Sequence, residues 1–274
     1  MIAHQRLIRE AQRAQDDTHP VPKDFSNAEV REISYAEAKT IIHKYEYLGT
    51  MGTTRRCFGL FFDGELAGVE CFGATAGTGV PYLCGTKHAD RVMTLCRGAC
   101  VHWAHEHSAS YLIPRACKLL AAEGKNIFVA YSDVDAGEIG TVYQACNWFY
   151  CGMTADRGSL IVAPSGTIRD ERSIQQFGRD RHSSVETESF FRKLTRTECR
   201  EKLARTGHTF VPRTPKHRYV GIYGANELRK ELAGALRWDI LPYPKRDECG
   251  SRRIAVLFCR KAAGCAQSAQ GGQQ

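Results

Sequence analysis

The sequence predicts an α/β fold of the α+β kind, with a mixed central sheet and helices on both faces. Three observations lead there. Apolar runs at 57–62 and 65–72 are joined by Asp63-Gly64, the two-residue signal of a tight hairpin. Two further strand-like runs, 92–101 and 127–131, stand on either side of an amphipathic helical stretch. A hairpin followed by strand, helix, strand, helix and strand is the element order of a mixed sheet with helices packed against it.

Each element has its own warrant. Ser34-Tyr35-Ala36-Glu37 has the serine-to-glutamate spacing of a capping box. Ala38, Ile41, Ile42 and Tyr45 then fall on one helical face, and Gly49 and Gly52 follow to end the helix. The hairpin comes next. Residues 73–87 are rich in Gly and Thr but match neither a P-loop nor a dinucleotide fingerprint, so they read as a flexible loop over the mouth of a site. After the strand at 92–101, Leu112, Ile113, Ala116, Leu119 and Leu120 mark a helix that Ser108 or Ser110 can cap and Gly124 can end. Residues 127–131 form a buried strand, 137–146 a second helix and 149–154 another extended run. Beyond a charged stretch at 169–218, residues 217–223 read as a strand, 225–236 as a helix and 242–245 as an extended cap. The expected organisation is a polar extension at 1–29 and one main domain at 30–261, holding the basic segment 169–218 and a strand–helix cap at 216–246. A disordered tail follows at 262–274.

Composition narrows the function classes. A chain of 274 residues that is 43% hydrophobic can bury one substantial core. A net charge of +8 and a pI near 8.9 favour a polyanionic partner, nucleic acid first. No apolar run approaches the roughly 18–20 residues that span a bilayer, and the first twenty residues carry no signal-peptide core. The protein is therefore expected to stay in the cytoplasm where it is made. The 12 cysteines include no C-x-x-C pair, and several sit in apolar stretches, as Cys57, Cys71 and Cys117 do. They read as buried free thiols in a reducing compartment. His102, His105 and His107 lie beside Cys96 and Cys100, but at no common zinc-ligand spacing, and read as a solvated loop.

Several segments, taken in order, resemble the Mom family of phage DNA modification proteins. They are Lys44-Tyr45-Glu46-Tyr47-Leu48-Gly49, Leu95-Cys96-Arg97, His107-Ser108-Ala109-Ser110-Tyr111-Leu112-Ile113, Ala130-Tyr131-Ser132-Asp133 and the stretch from Gly140 to Trp148. His217-Arg218-Tyr219 and Pro242-Tyr243-Pro244-Lys245-Arg246 add to the match. The resemblance implies a GNAT-like catalytic domain that places a methylcarbamoyl group on the exocyclic amine of adenine in duplex DNA, protecting it from restriction. It also implies roles residue by residue. Asp133 matches the family's active-site aspartate, Tyr143 the tyrosine of the helix that follows, and Arg97 the arginine of the central strand.

The chain departs from the family at two histidine positions. Glu46 precedes Tyr47 where the family has His-Tyr, and Glu138 stands where the family has a histidine before the tyrosine helix. A carboxylate still accepts a proton, at a reference pKa about two units lower. The turn at which ordinary GNAT enzymes hold coenzyme A pyrophosphate reads Glu106-His107-Ser108-Ala109-Ser110 here, without glycine. Ser108 and Ser110 are the candidate anion contacts. Acetyl-CoA and an aminoacyl donor both remain open as the source of the transferred group.

Chemistry orders these candidates. The exocyclic amine of adenine is a poor nucleophile and is stacked in the duplex, so the base must be extruded and its amine proton accepted. Asp133 is the candidate proton acceptor or metal ligand and Tyr143 the proton donor or ligand, with iron the metal implied by the family. Tyr47 is expected to position the base. The turn-capping role common for aspartate is the alternative for Asp133. Arg97 in an apolar strand needs an anionic partner, either Asp133 or a substrate phosphate. Arg179 and Arg181 are the candidate DNA-backbone contacts within a segment that also reads as a solvated face. The rival functions are acyl transfer to another modified base or a small amine, and DNA binding without catalysis.

Overall fold

The computed structural model describes residues 4–16, 18–75, 77–155, 158–166, 168–171, 174 and 194–245. The chain divides into two compact units, Met1–Gly152 with His217–Gln274, and Met153–Lys216. The first carries a seven-stranded sheet in the order β1 (Ala28–Ile33), β2 (Thr54–Phe62), β3 (Glu65–Gly73), β4 (Val92–Cys100), β5 (Ile127–Ser132), β10 (His217–Ile222), β6 (Phe149–Met153). Strands β1 to β4 are antiparallel neighbours, β4 and β5 run parallel, and β10 returns antiparallel to β5.

The hairpin forms as expected, with Asp63 at φ 48° and Gly64 at φ 85°. Both turn residues sit in the left-handed region that matches the twist of the flanking strands. Helix α2 (Tyr35–Tyr45) carries the expected capping box: the Glu37 N–H donates to Ser34 Oγ at 3.2 Å, and the Ser34 N–H donates to Glu37 Oε2 at 2.8 Å. The helix stops at Tyr45 with Glu46 as its cap, three residues before Gly49.

Residues alternate across β5 between two cores. Phe128 and Ala130 pack with Leu112, Ile113, Ala116, Cys117 and Leu120 of α3 (Ser108–Ala122). Ile127 and Val129 pack with Leu228 and Leu232 of the C-terminal helix (Asn226–Gly234). Period-two alternation therefore buries both faces of the strand, each under a helix.

Two expectations are corrected, and the polar extension gains a helix. Residues 137–146 do not form one helix, because Gly137 (φ 72°) and Gly140 (φ 77°) adopt left-handed backbone. Only α4 (Thr141–Ala145) remains helical there. The Gly/Thr-rich segment is not a simple loop, since Val80, Leu83 and Cys84 are buried in the second core. The polar N-terminus contains α1 (His4–Gln15), which docks through side-chain bonds to distant main chain. Gln5 Nε2 donates to Gly98 O at 3.2 Å, Gln12 Nε2 to Lys44 O at 2.9 Å, and Arg9 to Ala104 O.

The second unit has a three-stranded antiparallel sheet, β8 (Ile168–Asp170), β7 (Ser159–Val162) and β9 (Thr209–Pro212), in that order. With α5 (Arg196–Arg205) it encloses a small core of Ile161, Ile174, Cys199 and Leu203. The C-terminal helix Asn226–Gly234 is α6. The nine cysteines among the described residues are all free thiols, as expected.

Candidate active site

The sheet opens where β4 gains an extra residue. Strands β4 and β5 pair only from Val92↔Ile127 to Leu95↔Ala130. On the other side of β4 the register steps from Phe72↔Leu95 to Cys71↔Arg97, which leaves Cys96 as a bulge. A bulge bends its strand and sharpens the local twist. Beyond it β4 continues against β3 alone, so β4 and β5 part at the C-terminal end of β5. Open α/β sheets collect their reacting groups at such a divergence.

Asp133 immediately follows β5 at this mouth. Its Oδ2 accepts a hydrogen bond from the Tyr47 hydroxyl at 3.2 Å, and its Oδ1 accepts from the Asp135 N–H at 3.2 Å. The side chain thus serves both readings: it caps the short turn Val134–Ala136 and presents its other oxygen to Tyr47. Tyr47 sits on the segment after α2, where its N–H donates to Gln5 Oε1 at 3.2 Å. Burial, then the carboxylates of Asp133 and Glu46, push the Tyr47 phenol above its ordinary pKa, with Arg97 opposing. Tyr47 is therefore a neutral hydrogen-bond donor.

Glu46 is engaged by the main chain. It is 7% exposed, and its Oε2 accepts from the Leu48 N–H at 2.8 Å and the Gly49 N–H at 2.9 Å. These bonds fix the loop that presents Tyr47. Arg97 finds an anionic partner other than the two expected, since its Nε lies 3.9 Å from Glu46 Oε2. It also donates to Thr50 O at 2.6 Å and to Thr50 Oγ1 at 3.0 Å, so it ties the same loop to β4.

Tyr143 lies partly buried in an aromatic stack, 5.4 Å from the Trp148 ring and 5.3 Å from that of Tyr219. Burial, with Glu70, Glu138 and Tyr47 in electrostatic reach, raises its phenol well above the ordinary value. Asp133 and Tyr143 both offer oxygen donors of the kind iron takes, and in this structure Asp133 Oδ2 accepts from the Tyr47 hydroxyl.

Ser108 opens α3 fully buried, its Oγ making no hydrogen bond, and Ser110 Oγ donates to His107 O at 3.0 Å. His107, whose side chain makes no capping hydrogen bond, occupies the cap position expected for one of the serines. Arg179 and Arg181 lie outside the described residues.

One site-lining group escaped the sequence reading. Glu70 of β3 is 3% exposed and its Oε2 makes no hydrogen bond. It stands opposite Gly98 on β4, where an added Cβ would lie 2.3 Å from Glu70 Oε2. An acid in the middle of the otherwise apolar run 66–73 was the available signal.

Among solved structures, the chain is similar to an N-acetyltransferase from Staphylococcus aureus Mu50, at 16% identity over 48% of this chain and 88% of that one, with a TM-score of 0.36. It is similar to a Bacillus subtilis acetyltransferase in complex with CoA, at 10% identity over 72% and 99%, with a TM-score of 0.36. A GNAT family acetyltransferase from Elizabethkingia anophelis with acetyl-CoA bound matches at 9% identity over 72% and 99%, with a TM-score of 0.35. The seven-stranded mixed sheet, with β4 and β5 parallel and the remaining described pairs antiparallel, is the mixed α/β architecture that the sequence predicted. No curated protein matches the chain. Among the described residues, no helix is long and apolar enough to cross a membrane. The family model of the Mom protein family matches residues 27–245, a span that contains the parted strands, Tyr47 and Asp133. The chain belongs to the Mom protein family.

Proposed function

We propose that this protein is an acyltransferase-like enzyme that transfers a methylcarbamoyl-type group to the exocyclic amine of adenine in duplex DNA. The observation that carries this reading is the Tyr47–Asp133 hydrogen bond at the mouth where β4 and β5 part, within the residues matched to the Mom family. An extruded adenine would present its amine to the Asp133 carboxylate. As the amine nitrogen bonds to the incoming carbon, the bond from that carbon to the donor breaks, the donor fragment leaves with the electron pair, and Asp133 takes the amine proton. Tyr47, kept neutral, holds the carboxylate in orientation. Arg97 and Glu46 act one step back, by fixing the loop that carries Tyr47. Ser108 and Ser110 remain the candidate donor contacts, with acetyl-CoA or an aminoacyl compound as donor. A substituent on adenine N6 alters a major-groove donor that sequence-reading proteins use, which is how such a mark would block restriction enzymes.

Mass spectrometry of nucleosides from bacteria expressing the full chain tests this reading. A new deoxyadenosine derivative heavier by the methylcarbamoyl group is expected. Unmodified nucleosides alongside soluble protein would overturn catalysis and leave a DNA-binding role. A new mass on a pyrimidine would instead favour transfer to another base. Glu46 and Glu138 in place of the family's histidines are the observation that keeps this second reading alive, since they alter the charge around the mouth.

For DNA contact, we propose the basic segment that includes Arg179 and Arg181. Replacing both by alanine is expected to flatten the log–log salt dependence of DNA affinity by about two units. An unchanged slope would return the segment to a solvated face.

A further inference from the structure

His102 was expected in a solvated loop with His105 and His107. Instead it is 4% exposed and faces the N-terminal segment. Its Nε2 is buried and makes no hydrogen bond, yet Asp16 Oδ2 lies 3.4 Å away. The same Asp16 oxygen lies 3.1 Å from His19 Nδ1. One ligand atom from each of the three residues falls within 4.8 Å of the others, the single such group among the described residues.

We propose that Asp16, His19 and His102 bind one divalent transition-metal ion of the zinc type, which clamps the N-terminal segment to the turn after β4. Tetrahedral zinc ligands about 2.1 Å from the metal stand about 3.4 Å apart, so the two measured separations already suit a shared ion. Two imidazoles and one carboxylate are also the mixed donor set that such cations take, with positions left open for water.

The outer partners are in place as well. Metal-bound histidines engage their second ring nitrogen with an oriented acceptor. Here the Tyr45 hydroxyl lies 3.3 Å from His102 Nδ1, and Glu65 Oε1 lies 3.7 Å from His19 Nε2. Thr18 binds the other Asp16 oxygen, through its N–H at 3.2 Å and its hydroxyl at 2.7 Å, which leaves Oδ2 directed at the two rings. Trp103 stacks on the His19 ring at 5.7 Å and fixes its plane. Asp16 and His19 precede residue 27, where the family match begins, so two of the three ligands come from this chain's extension and His102 from within the match.

The test is titration of the full chain, freed of metal by chelation, with Zn²⁺ by calorimetry and with Co²⁺ by visible spectroscopy. One ion per chain is expected, with cobalt d–d bands and no thiolate charge-transfer band. Asp16 and His19 are substantially exposed, so D16N and H19A leave the core intact, and each is expected to weaken binding at least about 100-fold. Tyr45→Phe is expected to weaken it about tenfold by loosening the His102 ring. Absence of a stoichiometric ion overturns the proposal. So does an ion that D16N and H19A do not disturb, or one whose cobalt spectrum reports cysteine ligation. The readout is binding alone, so the result stands apart from whether DNA is modified.

Discussion

Strand β4 is two different objects joined at Cys96. Thr94 and Leu95 pair with β3 on one side and β5 on the other, and both are buried. From Arg97 to Cys100 the strand keeps β3 but has parted from β5, and its burial becomes intermittent. Composition does not explain the change, since Cys96, Gly98, Ala99 and Cys100 are as small and apolar as a core strand requires. One inserted residue does. The paired half turns its backbone and side chains wholly to stability, whereas the parted half frees an edge beside which Tyr47, Asp133 and Arg97 gather.

The largest effect expected is in the paired half. Phe128 is fully buried, with edge-to-face contacts to Phe72 at 5.5 Å and Tyr223 at 5.6 Å. Phe128→Ala should cost about 3–5 kcal/mol in denaturant unfolding. A loss below about 1 kcal/mol would show that this half is not what holds the sheet together.

At the mouth the expectation is reversed, with activity lost and stability kept. Asp133→Asn retains the shape of the side chain and its turn-capping bond from Asp135, but little basicity. DNA modification per enzyme should fall at least about 100-fold, with melting temperature and DNA affinity near those of the parent. A fully active variant would leave Asp133 as a turn residue only. Tyr47→Phe removes the donor to Asp133 Oδ2. A loss of about tenfold, carried by the rate rather than by DNA affinity, fits the value of one orienting hydrogen bond. Equal activity would remove Tyr47 from the mechanism.

The same division explains what the sequence disclosed. Local signals were readable: Asp63-Gly64 made its hairpin, Ser34 and Glu37 their capping box, and the apolar runs became β4 and β5. Features set by distant partners were not. Helix α1 has few apolar residues and is held by Gln5, Arg9 and Gln12 reaching carbonyls of Gly98, Ala104 and Lys44. The bulge leaves no trace in hydrophobicity, because the apolar pattern runs straight through it. Asp133 and Tyr47 are 86 residues apart, and only the family resemblance joined them in advance. Glu46 looked like a substitute base because its residue type permits it. Its two main-chain donors become visible only when the loop is folded.

The subtlest difference between the two halves is electrostatic, and Glu70 reports it. This carboxyl faces the parted half of β4, across from Gly98, and burial raises its pKa well above the ordinary 4.5. The sign follows from linkage. A folded pKa above the unfolded one means that the unfolded chain loses this proton first as pH rises. The stability that the protonated carboxyl contributes is complete below pH 4.5 and is lost progressively as pH climbs toward the folded value. E70Q has no proton to lose. Subtracting its unfolding free energy from that of the parent cancels every other titrating group common to both chains. The parent should therefore weaken relative to E70Q as pH rises above 4.5, read by denaturant titration at each pH. A flat difference would mean that Glu70 is already ionised in the folded chain. The parted half of β4 would then be wet enough to solvate a charge, and the contrast with the paired half would be one of water rather than of hydrogen bonding alone.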